Sequence, residues 1–302
     1  MSPLGSAHHL PLPHLLLAVA VMAVWGTNFV VIAFALEHLP PLLLAALRFT
    51  LVFLPMALFV KRPNVPLSNL AAYGVLIGAG QFGLLFLAMK NDITPGLASL
   101  VVQSQIFFTI ALSMRTSGER VRAYQWCALA LATSGIAIIF MNSEGGTTPL
   151  GLALVLGAAL CWALGNITAR KAGGVPMLPY IIWSSIFAVP PLFAFAFVFE
   201  GWPAIEQGLR TADAASWAAV LWQSVGNTMF GYTAWQWLLA KHPAAVVTPM
   251  ALLVPIFGMS ASATVLGEPM PGWKLGAAAL VLAGLALNLM WPLLQARLRA
   301  RS

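Results

Sequence analysis

Residues 118–135 read GERVRAYQWCALALATSG, and residues 267–284 read GEPMPGWKLGAAALVLAG. Gly118-Glu119, Tyr124 and Gly135 fall on Gly267-Glu268, Trp273 and Gly284 at a constant offset of 149. In each stretch a Gly-Glu turn leads into an apolar run that ends on glycine. The match continues outward. Gln105-Ile106-Phe107 falls on Pro255-Ile256-Phe257 at an offset of 150. Arg48 lies eight residues after Pro40 and seven before Pro55, as Ser184 lies eight after Pro176 and seven before Pro191. Trp25 with Asn28 parallels Trp162 with Asn166, one residue wider apart. The chain is therefore expected to be an internal repeat, with one unit over residues 1–143 and a second over 144–302.

The solvent follows from composition. Of 302 residues, 60% are hydrophobic and 8% are charged, against roughly a quarter charged in soluble domains. A span needs about 20 mostly apolar residues. Such runs occur at 14–36, 40–60, 68–89, 96–114, 123–141, 149–169, 177–199, 215–239, 246–266 and 273–294. Turn signals separate them, among them Arg62-Pro63-Asn64, Ser143-Glu144-Gly145-Gly146 and Gly173-Gly174; only 200–214 is long enough for a surface excursion. Placing the N-terminus in the cytoplasm puts eleven cations on the inner side, from Lys61 and Arg62 to Arg299 and Arg301. The outer side then keeps three: Lys90, Arg210 and Lys274. Cytoplasmic loops collect Lys and Arg, so both termini are expected inside. The fold expected is an all-α integral membrane protein of the inner membrane with ten transmembrane helices.

Five spans per unit is an odd number, so the two units must lie upside down relative to one another. Inverted repeats are the architecture of many secondary transporters, with the substrate site near midplane at the repeat interface. The net charge of +7 does not signal nucleic acid, because the cations are scattered rather than striped between aromatics. Cys127 and Cys161 lie in apolar runs and form no CxxC or Cys/His set.

These same residues carry a family resemblance over nearly the whole chain. The sequence resembles the drug/metabolite transporter superfamily, in its ten-span branch of two tandem EamA-type domains. The resemblance rests on Trp25-Gly26-Thr27-Asn28 and Trp162-Ala163-Leu164-Gly165-Asn166, on Thr248-Pro249, Pro255 and Gly267-Glu268, and on Ala283-Gly284. Gln105 departs from the family's proline. The resemblance implies a carrier without cofactor, similar to exporters of amino acids, including aromatic ones.

Polar side chains at membrane depth are costly unless paired or facing a wet cavity, so the deep ones are the site candidates. Asn28, Gln81, Gln105, Trp162, Asn166, Ser184, Asn227 and Tyr232 are the expected substrate-binding residues. The aromatic members would wall a pocket for a ring or alkyl group. Gln103 and Gln105 lie about 200° apart on an α-helix and cannot both face one cavity squarely, which favours Gln105. Arg48 either snorkels, forms a structural pair or meets a substrate carboxylate. Pro55, Pro191, Pro249 and Pro255 are candidate hinges, since proline removes a helix hydrogen bond. Gly74-x-x-x-Gly78 and Gly272-x-x-x-Gly276 are small-xxx-small patterns for close helix approach. Spans 5 and 10 are nearly apolar throughout, which suits peripheral or dimer-facing helices.

All eight acids fall in loops or at span ends, so no buried proton site is expected, and transport should run downhill or as weakly coupled exchange. There is no paired carboxylate, Ser/His/Asp set or His cluster at depth for an intramembrane enzyme or a metal. Rival readings are a carrier of drugs or nucleotide sugars, the latter wanting more cations than Arg48, and a solute channel. The expected partners are the lipid bilayer and a small-molecule substrate, an amino acid or related metabolite.

Overall fold

The computed structural model describes residues 10–117, 122–142, 146–242 and 244–299. Gly118, Glu119, Ser143, Glu144 and Gly145 lie outside the described residues, as do both chain ends. No strand occurs among the described residues. The helical runs are α1 (Leu12–His38), α2 (Pro41–Phe53), α3 (67–91), α4 (95–117), α5 (Ala123–Met141), α6 (Pro149–Lys171), α7 (Met177–Phe195), α8 (214–241), α9 (248–265) and α10 (Gly272–Arg299).

Proline sets where several of these begin. Pro41, Pro95 and Pro149 occupy the first turns of α2, α4 and α6, where a missing N–H costs nothing and the fixed φ suits a helix. Thr148 caps α6 by accepting from the Gly151 N–H at 3.0 Å, and Asp213 caps α8 through the Ser216 N–H at 2.8 Å. After α7 a π-helical turn, Ala196–Glu200, leads to Gly201, whose φ of 80° breaks the run. A short helix, Gly201–Thr211, then supplies the excursion expected for 200–214.

Among the described residues, nine helical runs are long and apolar enough to cross a membrane. The sequence predicts ten. The difference is α8, which is helical from 214 to 241 but carries Gln223, Ser224, Asn227 and Thr228 in its centre. These polar side chains are buried, so α8 is polar where it faces protein.

The packing partners repeat when each helix is exchanged for the one five places away. α1 packs on α8 and α9, and α6 packs on α3 and α4; α2 packs on α7, α4 on α9, and α5 on α10. The contact between α5 and α10 is reciprocal in its detail. A Cβ at Gly135 would sit 2.7 Å from the Ala277 carbonyl oxygen, and one at Gly284 would sit 2.6 Å from that of Ala128. The two glycines matched by sequence each admit the other helix's backbone.

The small-residue patterns divide. Gly74 and Gly78 lie directly against Ser184 and Ala188 of α7, whereas Gly272 and Gly276 have nothing within 4 Å of an added Cβ. Among the described residues, the two glycines of the second pattern therefore make no helix contact.

Candidate functional site

A cavity of about 330 Å³ lies between α1, α3 and α4 of the first half and α6, α8 and α9 of the second. Small-molecule sites run from about 300 to 1,000 Å³, so the volume suits a compact solute. Asn28, Gln81, Gln105, Trp162, Asn166, Asn227 and Tyr232 all line it. Among the described residues, none that lines it is Asp, Glu, Lys, Arg or His. The walls alternate amides with aromatic rings, giving hydrogen-bonding groups within an apolar surround.

The amides are tied across the halves. Asn166 Nδ2 donates to Gln105 Oε1 at 3.0 Å, linking α6 to α4, and Asn28 Nδ2 donates to Gln223 Oε1 at 3.3 Å, linking α1 to α8. Trp25 Nε1 donates to the Asn227 carbonyl at 3.1 Å, and its ring lies 5.3 Å from that of Tyr232 and 5.7 Å from that of Trp235. Gly231 makes room for the Trp25 indole.

Backbone irregularity coincides with the cavity. α3 is π-helical over Val75–Gly83 and α8 over Gln223–Phe230. α4 contains a 3-10 turn, Val102–Ser104, and α9 starts with one, Thr248–Leu252. Helices 3 and 8, and helices 4 and 9, are repeat partners, so matching helices depart from α geometry in the same way. π turns inside helices are frequent at functional sites. The 3-10 turn also bears on Gln103, which lines the cavity together with Gln105. With three residues per turn the two positions are about 120° apart instead of 160°, and Gln103 reaches the Ala251 carbonyl at 3.4 Å.

The candidate hinges sit at such changes of geometry. Pro55 precedes the 3-10 turn Met56–Leu58, and Pro249 lies within Thr248–Leu252. Pro255 follows at the start of the α-helical part of α9, and Pro191 lies in α7 shortly before its π turn.

Two expected site residues lie elsewhere. Ser184 donates back to the Tyr180 carbonyl at 2.6 Å and lines a separate small void. Arg48 does not snorkel: it is fully buried and bonds Gln223 and Thr228. Conversely, Tyr73, Met177 and Gln236 line the cavity without having been singled out. Gln236 follows Tyr232 by one helical turn, a spacing that was there to be read; Tyr73 and Met177 sit near helix starts, where depth gives no signal.

The cavity runs from mid-bundle toward the ends of α6, α7 and α8 that bear Ala169, Met177 and Gln236. The described lining residues do not extend to the other end. There Glu268, 8% exposed, accepts from Lys274 Nζ at 2.8 Å, the Gly96 N–H at 2.9 Å, and the hydroxyls of Thr94 and Ser262. It thus joins the start of α4 to the α9–α10 turn. Burial pushes its carboxyl upward, but the Lys274, Ser262, Thr94 and Gly96 donors outweigh that and hold it below the usual carboxylate range. Glu200 caps α2 through the Leu42 and Leu43 N–H groups, Asp92 accepts from Thr148 at 2.8 Å, and Lys90 bonds the Leu36 carbonyl.

A cavity shared by two matched halves of an apolar helical bundle fits a multi-pass membrane transporter. The comparisons with known proteins name its kind: the EamA-like transporter family pattern matches residues 12–141 and again 149–290, and the chain belongs to that family. It is 40% identical over 278 residues to a "Probable amino-acid metabolite efflux pump" of Salmonella typhimurium, a match covering 90% of this chain and 93% of that one. It is 31% identical over 175 residues to the inner membrane transporter YedA of Escherichia coli K12, covering 53% of this chain and 56% of the relative. A solved crystal structure aligns with a TM-score of 0.61 at 18% identity, covering 91% of this chain and 97% of the other, which bears on the fold alone. The protein is a multi-pass inner-membrane transporter.

Proposed function

We propose that this transporter exports neutral amino acids, chiefly hydrophobic or aromatic ones, and related metabolites by alternating access. The observation that carries the reading is the cavity itself: amides for a zwitterion and rings for an apolar side chain, drawn from both halves, with no formal charge among its described lining residues. The efflux-pump name of the Salmonella relative supports the same substrate class. In this reading α8 is the tenth span, its polar centre tolerated because it faces protein and cavity. The units 1–143 and 144–302 lie inverted with both termini in the cytoplasm. The charge bias favours that orientation, and it makes the open end of the cavity cytoplasmic, as an exporter awaiting cargo requires. Without a carboxylate in the cavity, export runs downhill or by weakly coupled exchange.

Counterflow in proteoliposomes with a panel of labelled amino acids tests this. Exchange of several neutral amino acids is expected; exchange of none would overturn the substrate class. Gln105→Ala and Trp162→Ala should each weaken apparent affinity, Gln105→Ala by about two- to tenfold, the range set by one buried hydrogen bond. Wild-type affinity in both would remove them from the site. An imposed pH gradient at zero membrane potential is expected to change the rate little.

A further inference from the structure

Arg48 is fully buried, and no described carboxylate pairs with it. Its Nη1 donates to Gln223 Oε1 and its Nη2 to Thr228 Oγ1, each at 2.9 Å. A guanidinium has five N–H groups, and the Nε–H of this one finds no acceptor. The guanidinium carbon stands 3.7 Å from the centre of the Phe82 ring and 5.4 Å from that of Phe49. Rings and neutral oxygens offset part of the cost of burying a cation, but the counter-charge that would balance it is missing.

The cation is close to the cavity without lining it. A small void lies against Arg48, and Tyr73, Phe82 and Tyr232 line both that void and the cavity. These rings are a partition one side chain thick. Asn28, on the cavity, bonds the same Gln223 oxygen that Arg48 holds, so the amide network also runs through to the charge. The groups that keep the arrangement closed sit on non-α backbone. Phe82 belongs to the π stretch of α3, and Gln223 and Thr228 to that of α8. When the extra residue of a π turn passes along a helix, each side chain it passes swings by about 100°.

We infer that Arg48 determines specificity for a free carboxylate. The solute's carboxylate meets the guanidinium when Phe82 swings aside, one oxygen taking the unused Nε–H and the other a spare Nη–H. The pathway then selects zwitterions over their amides, methyl esters and decarboxylated amines. This rests on the amino-acid reading above and deepens it.

The test is counterflow of one labelled amino acid, competed by the unlabelled acid, its amide and its methyl ester. Wild-type protein should favour the acid by about tenfold or more, the worth of a charge-assisted buried hydrogen bond. Arg48→Gln should bring the three competitors to near equality, and Arg48→Lys should keep part of the preference. Full preference for the acid in folded Arg48→Gln overturns the inference. A wild-type protein that exchanges amino acids but competes equally with acid, amide and ester also overturns it, and leaves the amino-acid reading intact. No exchange of any amino acid overturns both. If Arg48→Gln is not recovered folded, Phe82→Leu decides: thinning the partition should raise the acid-to-amide preference, and an unchanged ratio overturns the inference.

Discussion

Among the described residues, the two ends of the bundle differ in the groups that tie the halves together. At the Glu268 end, Glu268, Glu200 and Asp92 each tie a helix of one half to a helix of the other, and Glu37, Glu206 and Asp213 lie at the same end. Among the described residues, ties between the halves at the opposite end include bonds between uncharged side chains and backbone carbonyls. Tyr180 donates to Asn69 at 2.7 Å, Asn69 to the Thr168 carbonyl at 2.9 Å and Trp183 to that of Val60 at 2.9 Å, while His14 and His242 meet at 2.7 Å. Among the described residues, the cavity lining extends toward the second of these ends. A carboxylate can collect several donors at one point, as Glu268 does, and each bond to it is stronger than a neutral one. With the described carboxylate ties on one side, the two ends are biased against opening equally.

The largest expected effect comes from breaking that bias. Glu268→Gln leaves the Lys274 ammonium buried without its partner, a loss of about 3–5 kcal/mol for a broken buried pair. Thermal unfolding in detergent should show a clear drop. Unchanged stability would mean that other contacts hold the Glu268 end shut.

A related effect follows from pH. The Glu268 carboxyl is held below its ordinary value of 4.5. Its contribution is therefore complete above that value and is lost as pH falls through the lower, folded-state one. Wild-type protein should lose thermal stability as it is acidified below 4.5, and Glu268→Gln should lose less over the same interval. Parallel losses in the two proteins would assign the acid sensitivity to other groups.

Smaller effects probe the α5–α10 contact, which lies apart from both ends. Gly284→Val forces α10 off the Ala128 carbonyl and should cost about 1–3 kcal/mol as overpacking, with solute affinity unchanged. Gly276→Ala has open space around it and should stay within about 0.5 kcal/mol of wild type. A large loss at Gly276 would mean that its face is covered in the membrane, for instance by a second copy of the chain.

The sequence was most legible where spacing carried the information. The offset of 149 pairs Gly135 with Gly284, and those two residues do make the same contact from opposite sides. Reading deep polar residues as cavity residues matches Asn28, Gln81, Gln105, Asn166 and Asn227, all of which line the cavity. It failed for Ser184, whose hydroxyl is satisfied by its own helix. The α-helical angle between Gln103 and Gln105 misled instead, because a 3-10 turn brings Gln103 onto the same cavity. Such turns, and the π stretches, arise from packing between helices and leave no period in the chain to detect. Glu200 and Glu268 were placed correctly at span ends, but position alone did not reveal that each would be enclosed by donors from a distant segment.

The π stretches also bear on where this chain tolerates a change of length. A π turn holds one residue more than an α turn while keeping its flanks in phase. A single-residue deletion within 75–83 or 223–230 therefore tightens the coil locally and lets the flanking faces keep their neighbours. In regular α1 or α6 the same deletion would rotate everything beyond it by about 100°. The two stretches are the built-in slack of α3 and α8, and they lie beside the cavity wall, where a one-residue adjustment would reshape what the wall encloses.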